Sequence, residues 1–141
     1  MTKNFLISVA LVSISFLAGC ASNPKNEESC FEVRKTSMTV ATLRYELGAP
    51  KAQAAEMASQ NVPEGNPSKP YLKSIIEDAY SYQFGKISPN TFGYYEYVAC
   101  KNGYNKKLTK PIAEIQDKLA YCEKNKSNDE EEQCLEQAAT K

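Results

Sequence analysis

The chain contains no histidine and no tryptophan. Without histidine it lacks the commonest general base and the commonest metal ligand near neutral pH. Ser-His-Asp and Cys-His catalytic arrangements are excluded, as are most zinc sites. A four-cysteine zinc site is excluded too, because no two of the 5 cysteines have the close spacing such sites use. There is no excess of either charge: 17 Lys and Arg stand against 17 Asp and Glu. A nucleic-acid binder needs a basic excess to neutralise phosphates, so this balance argues against one. No stretch alternates apolar and polar residues with period two, so no sheet is expected. No internal repeat stands out.

The first twenty residues are the most informative part of what is present. Lys3 supplies a short basic start, and Phe5 to Phe16 is an apolar run of signal length. A membrane-spanning helix needs about twenty apolar residues. This run is shorter and is interrupted by Ser8, Ser13 and Ser15. Leu17-Ala18-Gly19-Cys20 follows, with small residues before a cysteine. The segment resembles the lipobox signal of bacterial lipoproteins, with an ordinary secretory signal as the alternative. The resemblance implies cleavage of residues 1–19 and lipidation of Cys20, which becomes the new amino terminus. Ala21 stands where Asp commonly directs retention in the inner membrane of Gram-negative cells, which implies the outer membrane. More than one acyl chain, at about 0.8 kcal/mol per buried methylene, gives stable anchoring without spanning. Removing Lys3 with the signal leaves one more acidic than basic side chain.

Residues 20–29 read as the lipidated cysteine and a polar tether, which could reach roughly 30 Å when extended. Residues 30–141 read as a single domain. Its four cysteines, Cys30, Cys100, Cys122 and Cys134, are an even set in a small exported chain and imply two disulfides. Three pairings are open, of which Cys122–Cys134 and Cys30–Cys100 are favoured. On one continuous helix Cys122 and Cys134 would stand about 18 Å apart, whereas a disulfide needs Cα atoms within about 7 Å. The polar stretch Lys124 to Asp129 supplies the turn that this bridge requires.

Helical spacing predicts a small all-α bundle of about five or six helices stapled by these bridges. Val40, Leu43 and Leu47 share a face, closed by Gly48 and Pro50. Lys51 to Gln60 is an alanine-rich second helix, followed by a loop from Asn61 to Lys69. Leu72, Ile75, Ile76, Ala79 and Tyr80 form a third apolar stripe, started by Ser68 and Pro70 and ended by Gly85. Ser88-Pro89 starts a fourth, with Phe92, Tyr95 and Ala99 inward, and the short connection predicts an antiparallel hairpin with the third. Thr109 and Pro111 open a fifth, with Ile112, Ile115, Leu119 and Cys122 on one stripe. Asn128 or Asp129 caps a sixth, with Glu130 to Glu132 in its first turn, where the helix dipole favours negative charge.

Tyrosine is concentrated between Tyr71 and Tyr121. The cluster Tyr94-Tyr95-Glu96-Tyr97 covers most of a helical turn, so its rings cannot all face one core. Tyr82, Tyr94, Tyr97 and Tyr104 are therefore candidates for an exposed face binding a protein or glycan, against the alternative that they fill a thin core. Lys101, Lys106, Lys107 and Lys110 form a basic run read as a solvated loop. Glu77, Asp78 and Glu96 are the nearest approach to catalytic carboxylates. Antiparallel packing would bring Glu96 near one of the other two, but a glycosidase needs two carboxylates facing each other across a cleft.

Met38-Thr39 through Leu47-Gly48-Ala49-Pro50 resembles a stretch of the small outer-membrane assembly lipoproteins of the SmpA/BamE family. That family continues into β-strands and lacks this cysteine set, whereas this chain continues into alanine-rich helix. The expectation is a periplasm-facing outer-membrane lipoprotein that is not an enzyme. It would be held to the membrane by its lipid and would bind another envelope protein, with no cofactor, metal or nucleic acid. The alternative is an inhibitor or immunity lipoprotein that neutralises a toxin or a cell-wall hydrolase.

Overall fold

A computed structural model describes residues 26–141. The signal, Cys20 and most of the tether lie outside these residues. Asn26 accepts a hydrogen bond on its side chain from the Glu28 N–H at 3.1 Å, capping helix α1 (Glu27–Leu47). The domain therefore starts three residues before Cys30, and the last tether residues are helical. Glu27 and Glu28 occupy the first turn, where the helix dipole favours them. Gly48 ends α1 at φ 60°, a left-handed position that glycine adopts without a Cβ penalty.

Five more helices follow: α2 (Lys51–Asn61), α3 (Leu72–Ala79), α4 (Pro89–Lys101), α5 (Ile112–Asn125) and α6 (Asn128–Ala139). The described residues form no strand, and one isolated bridge joins Thr109 to Thr140. The all-α expectation is met, as are both disulfides. Cys30–Cys100 and Cys122–Cys134 have Cα separations of 5.5 and 5.6 Å.

Several boundaries differ from those read in the sequence. Ser68 does not cap α3; its hydroxyl pairs with Thr36 at 2.8 Å, and a 3-10 turn over Lys69–Tyr71 precedes the helix. The helix stops at Ala79, six residues before Gly85, because the Arg44 side chain takes the Ala79 and Tyr82 carbonyls. The cap of α6 is Ser127, whose carbonyl, not its side chain, accepts from Glu130 and Glu131.

The largest helix interface is α1 with α4, not the expected α3–α4 hairpin. Gly93 makes it: a Cβ there would run into the Met38 side chain and lie 3.1 Å from the Arg34 carbonyl. Cys30–Cys100 fastens one end of the same pair. α3 packs on α1 and α2, and α5 and α6 form a hairpin laid against α4. The Glu123 carboxylate of α5 accepts from the Ser88 N–H at 3.0 Å and the Thr91 hydroxyl at 2.7 Å, capping α4 from outside. The core is Val33, Val40, Ile75, Phe92, Val98, Ile112, Leu119 and Leu135 with the two cystines. At about 25 cal/mol per Å² of apolar surface, its stabilisation comes from these few aliphatic and aromatic side chains.

Candidate functional site

Two places in the molecule depart from ordinary packing. The first is at the carboxyl end of α1. Arg44 lies half-buried there and donates to the Ala79 carbonyl and, at 3.0 Å, to the Tyr82 carbonyl. Its guanidinium stands 5.1 Å from the centre of the Tyr80 ring, 4.9 Å from Tyr82 and 5.6 Å from Phe84. A cation over aromatic faces is held by the ring quadrupoles, and here three rings share one guanidinium. The Tyr80 hydroxyl donates to the Ala49 carbonyl at 2.5 Å, which fixes this ring in turn. On the outside, Tyr45 stacks on Phe84 at 5.9 Å. Both remain about half exposed, at 49% and 56%, and Leu47 is 67% exposed two residues further on. The result is an apolar surface on an ordered, charged platform.

The second place is a cleft of about 570 Å³ between α3 and the loop after α4. Glu96 of α4 is completely buried beneath it. One of its oxygens accepts from the Tyr104 hydroxyl at 3.2 Å. The other, Oε1, has no donor facing it. The neighbouring group is the Asp78 carboxyl, and two ionised carboxylates cannot sit together in the interior. Glu96 therefore favours its protonated form. Burial raises Glu96 well above the usual carboxylate range, and the Asp78 charge raises it further. Asp78 is itself raised by burial, with the Glu96 hydrogen bond and the Lys106 charge opposing. Tyr104 is raised far above an ordinary phenol by burial and by Glu96. Its backbone sits at φ 52°, a left-handed conformation uncommon for a residue with a side chain, and its ring stacks on Tyr71 at 4.5 Å.

Compared with protein-family models, curated proteins and solved structures, the chain matches none. The assignment of function therefore rests on residues.

The sequence-derived tyrosine face is not brought together as an exposed surface. Tyr82 and Tyr94 are buried, at 6% exposure each, and Tyr97 and Tyr104 are half-buried. Burial lifts the Tyr82 and Tyr94 hydroxyls to about 12, with the nearby Glu132 contributing at Tyr94. The rings fill a thin core, because the α1–α4 contact at Gly93 leaves space on either side that only large side chains occupy. Tyr94 lies 5.1 Å beneath the Arg34 guanidinium, as Tyr82 lies beneath Arg44. These two are the chain's only arginines, and both sit on α1 over aromatic rings. Their spacing of ten residues in the sequence was the available sign of the platform, and Tyr45 next to Arg44 was overlooked.

Of the three carboxylates, the structure brings Asp78 near the buried Glu96 and leaves Glu77 outside, ion-paired with Lys51. The basic run divides. Lys110 donates to the Thr140 carbonyl at 2.6 Å and Lys101 stands 3.7 Å from Glu136, whereas Lys106 and Lys107 are exposed. The four cysteines act as staples. Among the described residues no cluster of His, Cys, Asp or Glu could hold a metal ion, and no helix is long and apolar enough to cross a membrane.

Proposed function

We propose that this chain is a lipid-anchored, non-catalytic binding protein on the periplasmic face of the bacterial outer membrane. Its contact with another envelope protein is the surface formed by Arg44, Tyr45 and Phe84. The observation that carries this reading is the position of that surface. Cys20, the lipobox cysteine, is separated from Glu27 by six residues, which span roughly 20 Å at most. The helix that starts there runs 21 residues, about 30 Å, before reaching Tyr45 and Leu47. On this reading the anchor joins the chain before the start of α1, and the aromatic surface lies at the far end of that helix. Tyr, Phe and Arg are the side chains that concentrate binding energy at interface centres. Here Phe84 is already held by Arg44 and Tyr45 is stacked on Phe84, so little further ordering is needed on binding.

The test is crosslinking in the native envelope, affinity purification and mass spectrometry, with a Tyr45→Ala/Phe84→Ala variant alongside. One native partner, lost in the variant, is the expected result. A partner retained in the variant would remove the surface from the account. Absence of any native partner would favour the inhibitor or immunity reading instead. In parallel, intact-mass measurement of the exported chain should show cleavage before Cys20 and acylation. Cys20→Ser should release the protein from the membrane fraction.

A further inference from the structure

α1 and α4 pack antiparallel, so the start of one lies beside the end of the other. Cys30, in the first turn of α1, is bridged to Cys100 near the end of α4, while Gly93 further back on α4 meets Arg34 and Met38. At the same end the Tyr97 hydroxyl donates to Glu27 at 3.3 Å. The chain before Asn26 and the loop after Lys101 therefore leave the molecule together.

That loop carries an exposed tip. Lys106, Lys107 and Leu108 all face solvent, Leu108 at 46%. The backbone of the tip is fixed. The Leu108 and Thr109 N–H groups donate to the Asn105 carbonyl at 2.8 and 3.1 Å, and the Leu108 carbonyl accepts from the Lys141 N–H at 3.0 Å. The Lys141 ammonium donates to the Lys106 carbonyl at 2.9 Å, which sets a third positive charge beside the first two. None of these three lysines makes a salt bridge among the described residues, although the Asp78 charge bears on Lys106 from the cleft side. The acidic groups at this end are engaged elsewhere. Glu136 stands 3.7 Å from Lys101, Glu27 takes the Tyr97 hydroxyl, and Glu28 sits in the first turn of α1, where the helix dipole favours it. The sequence is balanced in charge, so a basic end implies an acidic region elsewhere. Asp129, Glu130 and Glu131 supply it at the start of α6, about 18 Å along that helix from its end beside Lys110.

A leucine held outward among ammonium groups fits a surface that is anionic outside and apolar beneath. Anionic headgroups attract the lysines, and the leucine reaches the boundary of the acyl chains. Three lysines and one leucine would hold a free domain only weakly. Beside a lipid anchor they act at the high local concentration that a short tether sets, so a weak contact is enough to fix orientation. Six residues separate Cys20 from Glu27, which keeps the anchor within roughly 20 Å of this end.

We propose that the 105–108 tip, with Lys141, is a membrane-contact face that docks on anionic phospholipid in the leaflet carrying the anchor. The proposal rests on the lipid-anchor reading for its orientation. So seated, the domain presents the surface of Arg44, Tyr45 and Phe84 at the end of α1 away from that leaflet.

The test uses the exported full chain bearing Leu108→Trp. The chain has no other tryptophan, so its emission reports the tip alone. The probes are vesicles of phosphatidylcholine, alone or with phosphatidylglycerol as roughly a third of the lipid. With phosphatidylglycerol the emission should move to shorter wavelength and be quenched by brominated acyl chains. With phosphatidylcholine alone it should keep its solution value. Raising the salt to about 1 M, where the Debye length is about 3 Å, should abolish the shift. Lys106→Glu/Lys107→Glu in the same chain should abolish it too, with near-ultraviolet circular dichroism checking the fold. Leu47→Trp, at a position 67% exposed on the far end of α1, should show no shift with either vesicle. Flotation of the same samples reads the anchor separately. Flotation with both vesicles and no phosphatidylglycerol-dependent shift would keep the anchor and overturn the face. A shift in a chain that floats only with phosphatidylglycerol would keep the face and overturn the anchor. An equal shift with both vesicles, in Leu47→Trp, or in the charge-reversed chain would overturn the proposal.

Discussion

Glu96 shows what one buried proton does to a small fold. In the unfolded chain it ionises near the ordinary 4.5, whereas in the folded chain burial and Asp78 keep it protonated to much higher pH. Between those two values the folded state binds more protons than the unfolded state. Its contribution to stability is therefore full below about pH 4.5 and falls as pH rises, until Glu96 ionises in place. Asp78, also raised, acts in the same direction. Urea midpoints measured from about pH 4 to about pH 9 should show this decline, after correction for the other groups. Glu96→Gln still accepts from Tyr104 but cannot ionise, so the decline should flatten. An unchanged slope would mean that Glu96 does not titrate between the two states as its burial requires. The sequence offered Glu96 a carboxyl neighbour only by way of an α3–α4 hairpin that the fold does not form, and it did not show which of the two carboxylates that would be. Glu77 and Asp78 are adjacent on α3, and only the rotation of that helix decides which of them points inward.

Elements were legible where one face of a helix decided its fate. The stripes of α3 and α5 are buried as their spacing required, because each presents a single apolar side to one layer of neighbours. α1 and α4 were harder. They contact each other along Gly93, and a glycine within a helix reads as a weakness until its partner is known. Gly93→Ala should cost about 1–3 kcal/mol through the clash with Met38, and Met38→Ala in the same chain should recover part of it. Thermal melts of the four chains in the cycle would measure this. The end of α3 was misplaced for a similar reason, since Arg44 approaches from 35 positions away in sequence. Arg44→Leu keeps packing against the rings but frees the Ala79 and Tyr82 carbonyls. It should cost about 2 kcal/mol and raise hydrogen exchange over residues 79–84 specifically. Uniform exchange across the chain would contradict the local role.

The whole molecule depends on its two bridges because its core is small. Cys30–Cys100 closes a loop of 70 residues and Cys122–Cys134 one of 12. On loop-closure grounds their removal should cost about 4 and about 3 kcal/mol respectively. The first loss falls on the α1–α4 interface that the rest of the fold is built around, and the second on the α5–α6 hairpin. Paired Cys→Ser variants, compared by denaturant melts, should preserve that order. The pairing was readable because geometry allowed a bridge across the polar turn at Lys124 to Asp129, and the remaining cysteines then had one arrangement. The aromatic surface was not readable, because tyrosine serves core and interface equally well, and its number in the sequence does not say which rings a thin core will absorb.

The connectivity of the bridges has a consequence for how the chain is made. Taken from the amino end, the first of the four domain cysteines pairs with the second, and the third with the fourth. An oxidant that joins each thiol to the next to appear along the chain reaches the native arrangement directly. No wrong bridge need be formed and undone, so oxidative refolding of the reduced chain should reach the native pairing without a disulfide-shuffling enzyme.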